Sequence, residues 1–134
     1  MNVRGIHHLG LAVADLDDAV ATYERLFGAE GEHRDTIPAQ GVEAVSLTVG
    51  VSRVELLAPL GADTPVGRFL ERRGPGMHHV AFEVTDIRGA LADLATAGAE
   101  LIDAEPRRGL FGFEVAFVDP ESVHGVLSEV VARG

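Results

Sequence analysis

Two stretches about seventy residues apart carry nearly the same pattern: Ile6-His7-His8-Leu9-Gly10-Leu11-Ala12-Val13 and Met77-His78-His79-Val80-Ala81-Phe82-Glu83-Val84. In each, a histidine pair opens an apolar alternating run, an aspartate follows (Asp15, Asp86), and an Ala-rich pattern of helical period comes next. A chain whose elements recur in this order is built from two related modules. Whatever one histidine offers, its counterpart offers at the equivalent place.

Taken in order, residues 3–13 alternate as a half-buried strand, with His8, Gly10 and Ala12 on one face and Leu9, Leu11 and Val13 on the other. Asp15 is placed to cap a helix whose apolar positions are Leu16, Ala19, Val20, Tyr23, Leu26 and Phe27, ended by Gly28. Residues 29–37 read as an edge strand, 38–41 as a turn, and 42–49 and 51–58 as two further strands. Thr64-Pro65 starts a linking helix that runs to Gly74-Pro75-Gly76. The second module repeats the order: strand 77–84, an Asp86-capped helix on Ile87, Ala90, Leu91 and Leu94 stopped by Gly98, strand 99–103, a loop over 105–112, strand 113–118, a turn at Asp119-Pro120, and strand 125–132.

This order predicts an α+β fold: a single domain over residues 1–134 made of two βαβββ modules, about 4–60 and 76–132, joined by the short helix. Set in tandem, such modules are expected to form a cupped mixed β-sheet with the helices outside. Pseudo-twofold symmetry is expected to bring His8 and His79 together on the cup floor.

Composition removes several classes of function. There is no cysteine, so any metal must bind through His, Asp or Glu. A net charge of -10 opposes nucleic-acid binding. Arg72, Arg73, Arg107 and Arg108 nevertheless offer local contacts for a small phosphorylated ligand. No apolar run reaches the ~18 residues of a membrane helix, and Met1-Asn2-Val3-Arg4 leads directly into a strand pattern, so a cytoplasmic location away from membranes is expected.

The last strand of each module carries one carboxylate in an apolar run: Glu55 in Val54-Glu55-Leu56-Leu57, and Glu129 in Leu127-Ser128-Glu129-Val130-Val131. A carboxylate buried without a partner is costly, so each needs a cation. Arg53 or another side chain is one choice. A divalent ion held by two imidazoles and two carboxylates, with two positions left for water or a chelating substrate, is the other.

At these residues the chain resembles the methylmalonyl-CoA epimerases of the vicinal oxygen chelate (glyoxalase/bleomycin-resistance/dioxygenase) superfamily, from about Arg4 to Val131. The resemblance rests, in chain order, on the first His-His strand, Gln40-Gly41-Val42, Val54-Glu55-Leu56-Leu57-Ala58-Pro59-Leu60-Gly61, Phe69-Leu70-Glu71-Arg72-Arg73-Gly74, the second His-His strand, Leu101-Ile102-Asp103-Ala104-Glu105-Pro106-Arg107 and Gly125-Val126-Leu127-Ser128-Glu129. It implies a divalent metal (cobalt, manganese, nickel, zinc or iron) held by His8, Glu55, His79 and Glu129, an acyl-CoA substrate, and a homodimer. The implied reaction inverts the α-carbon of methylmalonyl-CoA through a metal-stabilised enolate, with Glu129 also a proton acceptor.

Three places depart from the family pattern: Ala44 stands where some members have a glutamate, Phe111-Gly112 where many have a histidine or small residue before the glycine, and Asp119-Pro120-Glu121 where they have His-Pro-Lys. Glu43, one residue from Ala44, lies on the opposite strand face and is expected to be solvated. The alternatives are a glyoxalase I-like isomerase with the same four ligands, and a metal-free protein that sequesters small molecules. An extradiol-type dioxygenase, which wants two histidines and one carboxylate, fits less well.

Overall fold

The computed structural model describes residues 1–133 and contains eight strands and three α-helices among them: β1 (Val3–Ala12), α1 (Leu16–Phe27), β2 (Glu30–Ile37), β3 (Val42–Val49), β4 (Ser52–Pro59), α2 (Pro65–Arg73), β5 (Gly76–Val84), α3 (Ile87–Thr96), β6 (Arg107–Arg108), β7 (Glu114–Val118) and β8 (Ser128–Ala132). Strand, helix and three strands thus occur twice, the βαβββ order expected from the repeat. The chain divides into two compact units, His8–His78 and Met1–His7 with His79–Gly134. The boundary passes through both histidine pairs.

In the unit His8–His78 the strand order is β2-β3-β4-β1. β1 runs parallel to β4 and β4 antiparallel to β3. The Asp15 carboxylate accepts from the Asp18 N–H at 3.0 Å and sets the start of α1, while Gly28 ends it at a φ of 64°, a conformation glycine adopts without strain. α1 lays Leu16, Ala19, Val20 and Tyr23 on Val45, Leu47 and Leu56, so the odd positions of β3 form the core beneath the helix. Leu26 and Phe27, expected on the same apolar face, are 58% and 64% exposed. They belong to the final turn of α1, and Phe27 keeps a tilted ring contact with Tyr23 at 5.7 Å.

α2 begins at Thr64, whose hydroxyl accepts from the Gly67 N–H at 3.0 Å, with Pro65 in the first turn. Gly67 is there because nothing larger fits: a Cβ would run into the carbonyls of Gly61 and Ala62. Gly67→Ala is expected to lower stability by about 1–3 kcal/mol, the usual cost of overpacking, measured as a shift in the urea midpoint. An unchanged midpoint would show that the 61–62 turn can give way.

In the other unit β5 pairs in parallel with β8, β8 antiparallel with β7, and β7 with the two-residue β6. The Asp86 side chain caps α3 through the Gly89 N–H at 3.1 Å. Ile87, Ala90 and Leu91 then pack on Val84, Ala116, Val130 and Ala132. The strand expected at 99–103 is reduced to one bridge, Leu101 with Val118, because the Asp103 carboxylate takes the Phe117 N–H at 2.9 Å in place of a backbone partner. The pairing strand lies instead at Arg107–Arg108, inside the segment read as loop. The last strand starts at Ser128, three residues later than expected, after a 3-10 turn capped by Asp119.

Candidate metal centre and active site

The two modules build the same pair of side chains by the same register. In parallel β1 and β4, Gly10 lies opposite Glu55, and His8 is two residues before Gly10. In parallel β5 and β8, Ala81 lies opposite Glu129, and His79 is two residues before Ala81. Side chains two apart share a strand face, and the small residue opposite each glutamate leaves room for the imidazole to reach the carboxylate. His8 Nε2 stands 3.3 Å from Glu55 Oε2, and His79 Nε2 stands 3.9 Å from Glu129 Oε2.

All four side chains are buried: His8 is 3% exposed, Glu55 8%, His79 2% and Glu129 2%. Burial pushes the Glu55 carboxyl up to about 7, against the opposing pull of the Arg53 guanidinium. Arg53, the sequence-level candidate partner for this acid, places its Nη2 3.2 Å from Glu32 Oε1. Nitrogen and oxygen donors withdrawn from water, without a thiol, form a set that a divalent cation fits.

The other histidine of each pair sits against an aromatic ring. His7 is edge-on to Phe113 at 5.6 Å and His78 edge-on to Phe69 at 5.1 Å. Burial holds the His78 imidazole down at about 4, so it is neutral at ordinary pH. The second member of each pair is the one set against a glutamate of the closing strand.

The sequence profile of the Glyoxalase/Bleomycin resistance protein/Dioxygenase superfamily matches residues 7–117. An ethylmalonyl-CoA/methylmalonyl-CoA epimerase of Cereibacter sphaeroides is 37% identical over 127 residues, covering 93% of this chain and 95% of that one. The crystal structure of methylmalonyl-CoA epimerase from Mycobacterium tuberculosis superimposes with a TM-score of 0.96 at 33% identity, covering 98% of this chain and 89% of that one. A methylmalonyl-CoA epimerase in complex with methylmalonyl-CoA and NH4+ superimposes with a TM-score of 0.96 at 35% identity, over 99% and 96% of the two chains. This chain belongs to the methylmalonyl-CoA epimerase branch of the glyoxalase superfamily.

Within that epimerase family the departures acquire a structural setting. Ala44 is fully buried opposite Leu57, and Asp35 is its register partner on β2. Glu43 lies on the face that carries α1, where Arg34 bonds it at 2.9 Å and also bonds Asp17. It is a half-exposed ion-pair residue. Phe111 has a φ of 64°, a left-handed conformation that costs a non-glycine residue about 1–2 kcal/mol, and its ring stacks on Phe113 at 5.3 Å.

Of the arginines proposed to meet phosphate, Arg72, Arg73 and Arg108 are exposed. Arg73 lies over the Phe69 ring at 5.5 Å, whereas Arg107 is half-buried, 3.0 Å from Asp103 and over Phe117 at 5.5 Å. Sequence reading missed the strain at Phe111 and the buried Ser46. The one signal available for Ser46 was a small hydroxyl residue between Val45 and Leu47 in β3.

Proposed function

We infer that this chain is an isomerase, an epimerase that inverts the α-carbon of methylmalonyl-CoA or a close 2-substituted malonyl-CoA. The observation that carries the reading is the repeated pair: each module sets a buried imidazole against a buried carboxylate at identical register. We propose that His8, Glu55, His79 and Glu129 together hold one divalent cation, each contributing a buried ligand atom. When bound, the cation stabilises negative charge on the thioester carbonyl oxygen as the α-proton leaves, which makes that proton acidic enough to remove.

The protein's own groups do the rest. The histidines act as neutral donors that hold position, since strand residues move less than loop residues. Glu129 takes the α-proton on one side of the carbon, a positioned acid–base role worth about 10²–10⁴-fold, and inversion is completed by a proton delivered to the opposite side. Val131, two residues along from Glu129 on the same strand face, and Ala81, the register partner of Glu129 on β5, help keep the carboxylate from bulk water. The exposed Arg72 and Arg108 are offered as contacts for coenzyme A phosphates.

The same reading takes the chain as one domain over residues 1–134 that works as a homodimer in the cytoplasm, where acyl-CoA thioesters are made and consumed. No helix in the described residues is long and apolar enough to cross a membrane. Sedimentation velocity tests the dimer. The metal is one of cobalt, manganese, nickel, zinc or iron, which elemental analysis of purified protein would identify.

The deciding experiment incubates metal-loaded protein with methylmalonyl-CoA in D2O and follows deuterium at the α-carbon by mass spectrometry. Enzyme-dependent incorporation is expected. Its absence in protein shown to carry stoichiometric metal would end the epimerase reading, and turnover of a hemithioacetal instead would move the chain to the isomerases of glyoxalase I type.

A further inference from the structure

The two half-sites are not equal, and the difference lies on the strand next to each glutamate. In antiparallel β7 and β8, Phe117 is the direct register partner of Glu129, and its ring meets His79 edge-on at 5.5 Å. In antiparallel β3 and β4, the partner of Glu55 is Ser46. Direct antiparallel partners share a face, with Cβ atoms about 4.5–5.5 Å apart. The repeat therefore places a ring beside one carboxylate and a hydroxyl beside the other.

Ser46 is fully buried, and its Oγ has no hydrogen-bond partner among the described residues. Leaving a buried hydroxyl unpaired costs free energy that alanine, of nearly the same shape, avoids. A hydroxyl kept at that cost next to a ligand carboxylate has an evident use once the carboxylate is ionised. Rotation about χ1 by one staggered well swings Oγ through the space between the two strands.

We propose that Ser46 is the positioning residue of the Glu55 half-site: its hydroxyl donates to the Glu55 carboxylate when a divalent cation holds that group ionised, and so fixes which oxygen faces the cation. Outer hydrogen bonds of this kind orient metal ligands and raise affinity. Phe117, in the corresponding place beside Glu129, has no hydroxyl to donate. Glu55 is thereby the stationary ligand and Glu129 the carboxylate left to exchange protons. His33, the register partner of Ser46 on β2, is compatible with this, because a hydroxyl can accept from a ring N–H while donating to a carboxylate.

The inference rests on the metal-site reading above, and its test separates the two. Metal-stripped wild type, Ser46→Ala and Ser46→Thr are titrated with Co2+ by calorimetry, and the unfolding of each metal-free protein is followed by heating. Ser46→Ala is expected to unfold at the same or a higher temperature than wild type, because an unpaired hydroxyl has gone, yet to bind Co2+ about 10–100-fold more weakly. Ser46→Thr, which keeps the hydroxyl, retains most of the affinity. A purely structural role would lower both properties of the alanine variant together. Unchanged Co2+ affinity in Ser46→Ala overturns the proposal, as does an equal loss in both variants, which would mark a packing effect. Wild type that binds no stoichiometric Co2+ overturns the metal site itself and this inference with it.

Discussion

Replacing Glu129 by glutamine is expected to slow α-proton exchange by about 10²–10⁴-fold while leaving a folded protein that still binds metal. The side chain sits in the middle of β8, 2% exposed, opposite Ala81 on one side and Phe117 on the other. Glutamine has the same shape and its amide oxygen can still ligate, so packing and coordination are largely kept. What it cannot do is take up a proton. Alanine would be a poorer test, since a cavity and a lost ligand would add their own effects. The measurement is deuterium incorporation at the α-carbon together with metal content of the same sample. Exchange within tenfold of wild type at full metal occupancy would remove Glu129 as the proton acceptor.

The second large effect concerns stability against pH in the metal-free protein. Burial raises Glu55 from 4.5 to about 7, so its contribution is fully present below 4.5 and is lost as pH rises through 7. Burial lowers His78 from 6.5 to about 4, so its contribution is present above 6.5 and is lost as pH falls through 4. Each is worth on the order of 3 kcal/mol, with opposite slopes. Between about pH 4.5 and 6.5 these two contributions oppose each other and nearly cancel.

Glu55→Gln exposes the His78 slope: its stability should rise across the same window by about 3 kcal/mol, measured by urea unfolding in the presence of a chelator. Parallel profiles for wild type and variant would refute the account. Added Co2+ should stabilise wild type more at about pH 7.5 than at about pH 5.5, because protons compete for the same ligand atoms.

The site was legible in the sequence to the extent that it is repeated. A histidine at position 8 or a glutamate at position 55 says little alone; recurrence at 79 and 129, in the same order within each module, is what points to paired donors. Strand periodicity also separated Glu43 from Ala44, and the structure puts Glu43 with Arg34 and Asp17 on the helix side of β3. Periodicity assigns faces but not partners, however, and the register that seats Gly10 opposite Glu55 and Ser46 beside it arises only when strands pair. For the same reason the short strand at Arg107–Arg108 escaped notice: two arginines carry no strand signal, and β7 alone creates their pairing. Leu26 and Phe27 show the converse error, in which a helical apolar stripe outlasts the core beneath it.

The boundary between the compact units has a consequence for how the chain comes off the ribosome. The unit His8–His78 is continuous and can close as soon as its last residue is clear. The other is not, since Met1–His7 finds its unit-mates only in residues made after His78. The Asn2 carbonyl, for instance, accepts from the Thr85 N–H at 3.4 Å. Residues 1–7 therefore wait for the chain beyond His78, a long-range closure that comes later than that of the continuous unit. Because the cut falls between His7 and His8, one histidine of the first pair is set early, its neighbour only once residues beyond His78 are present.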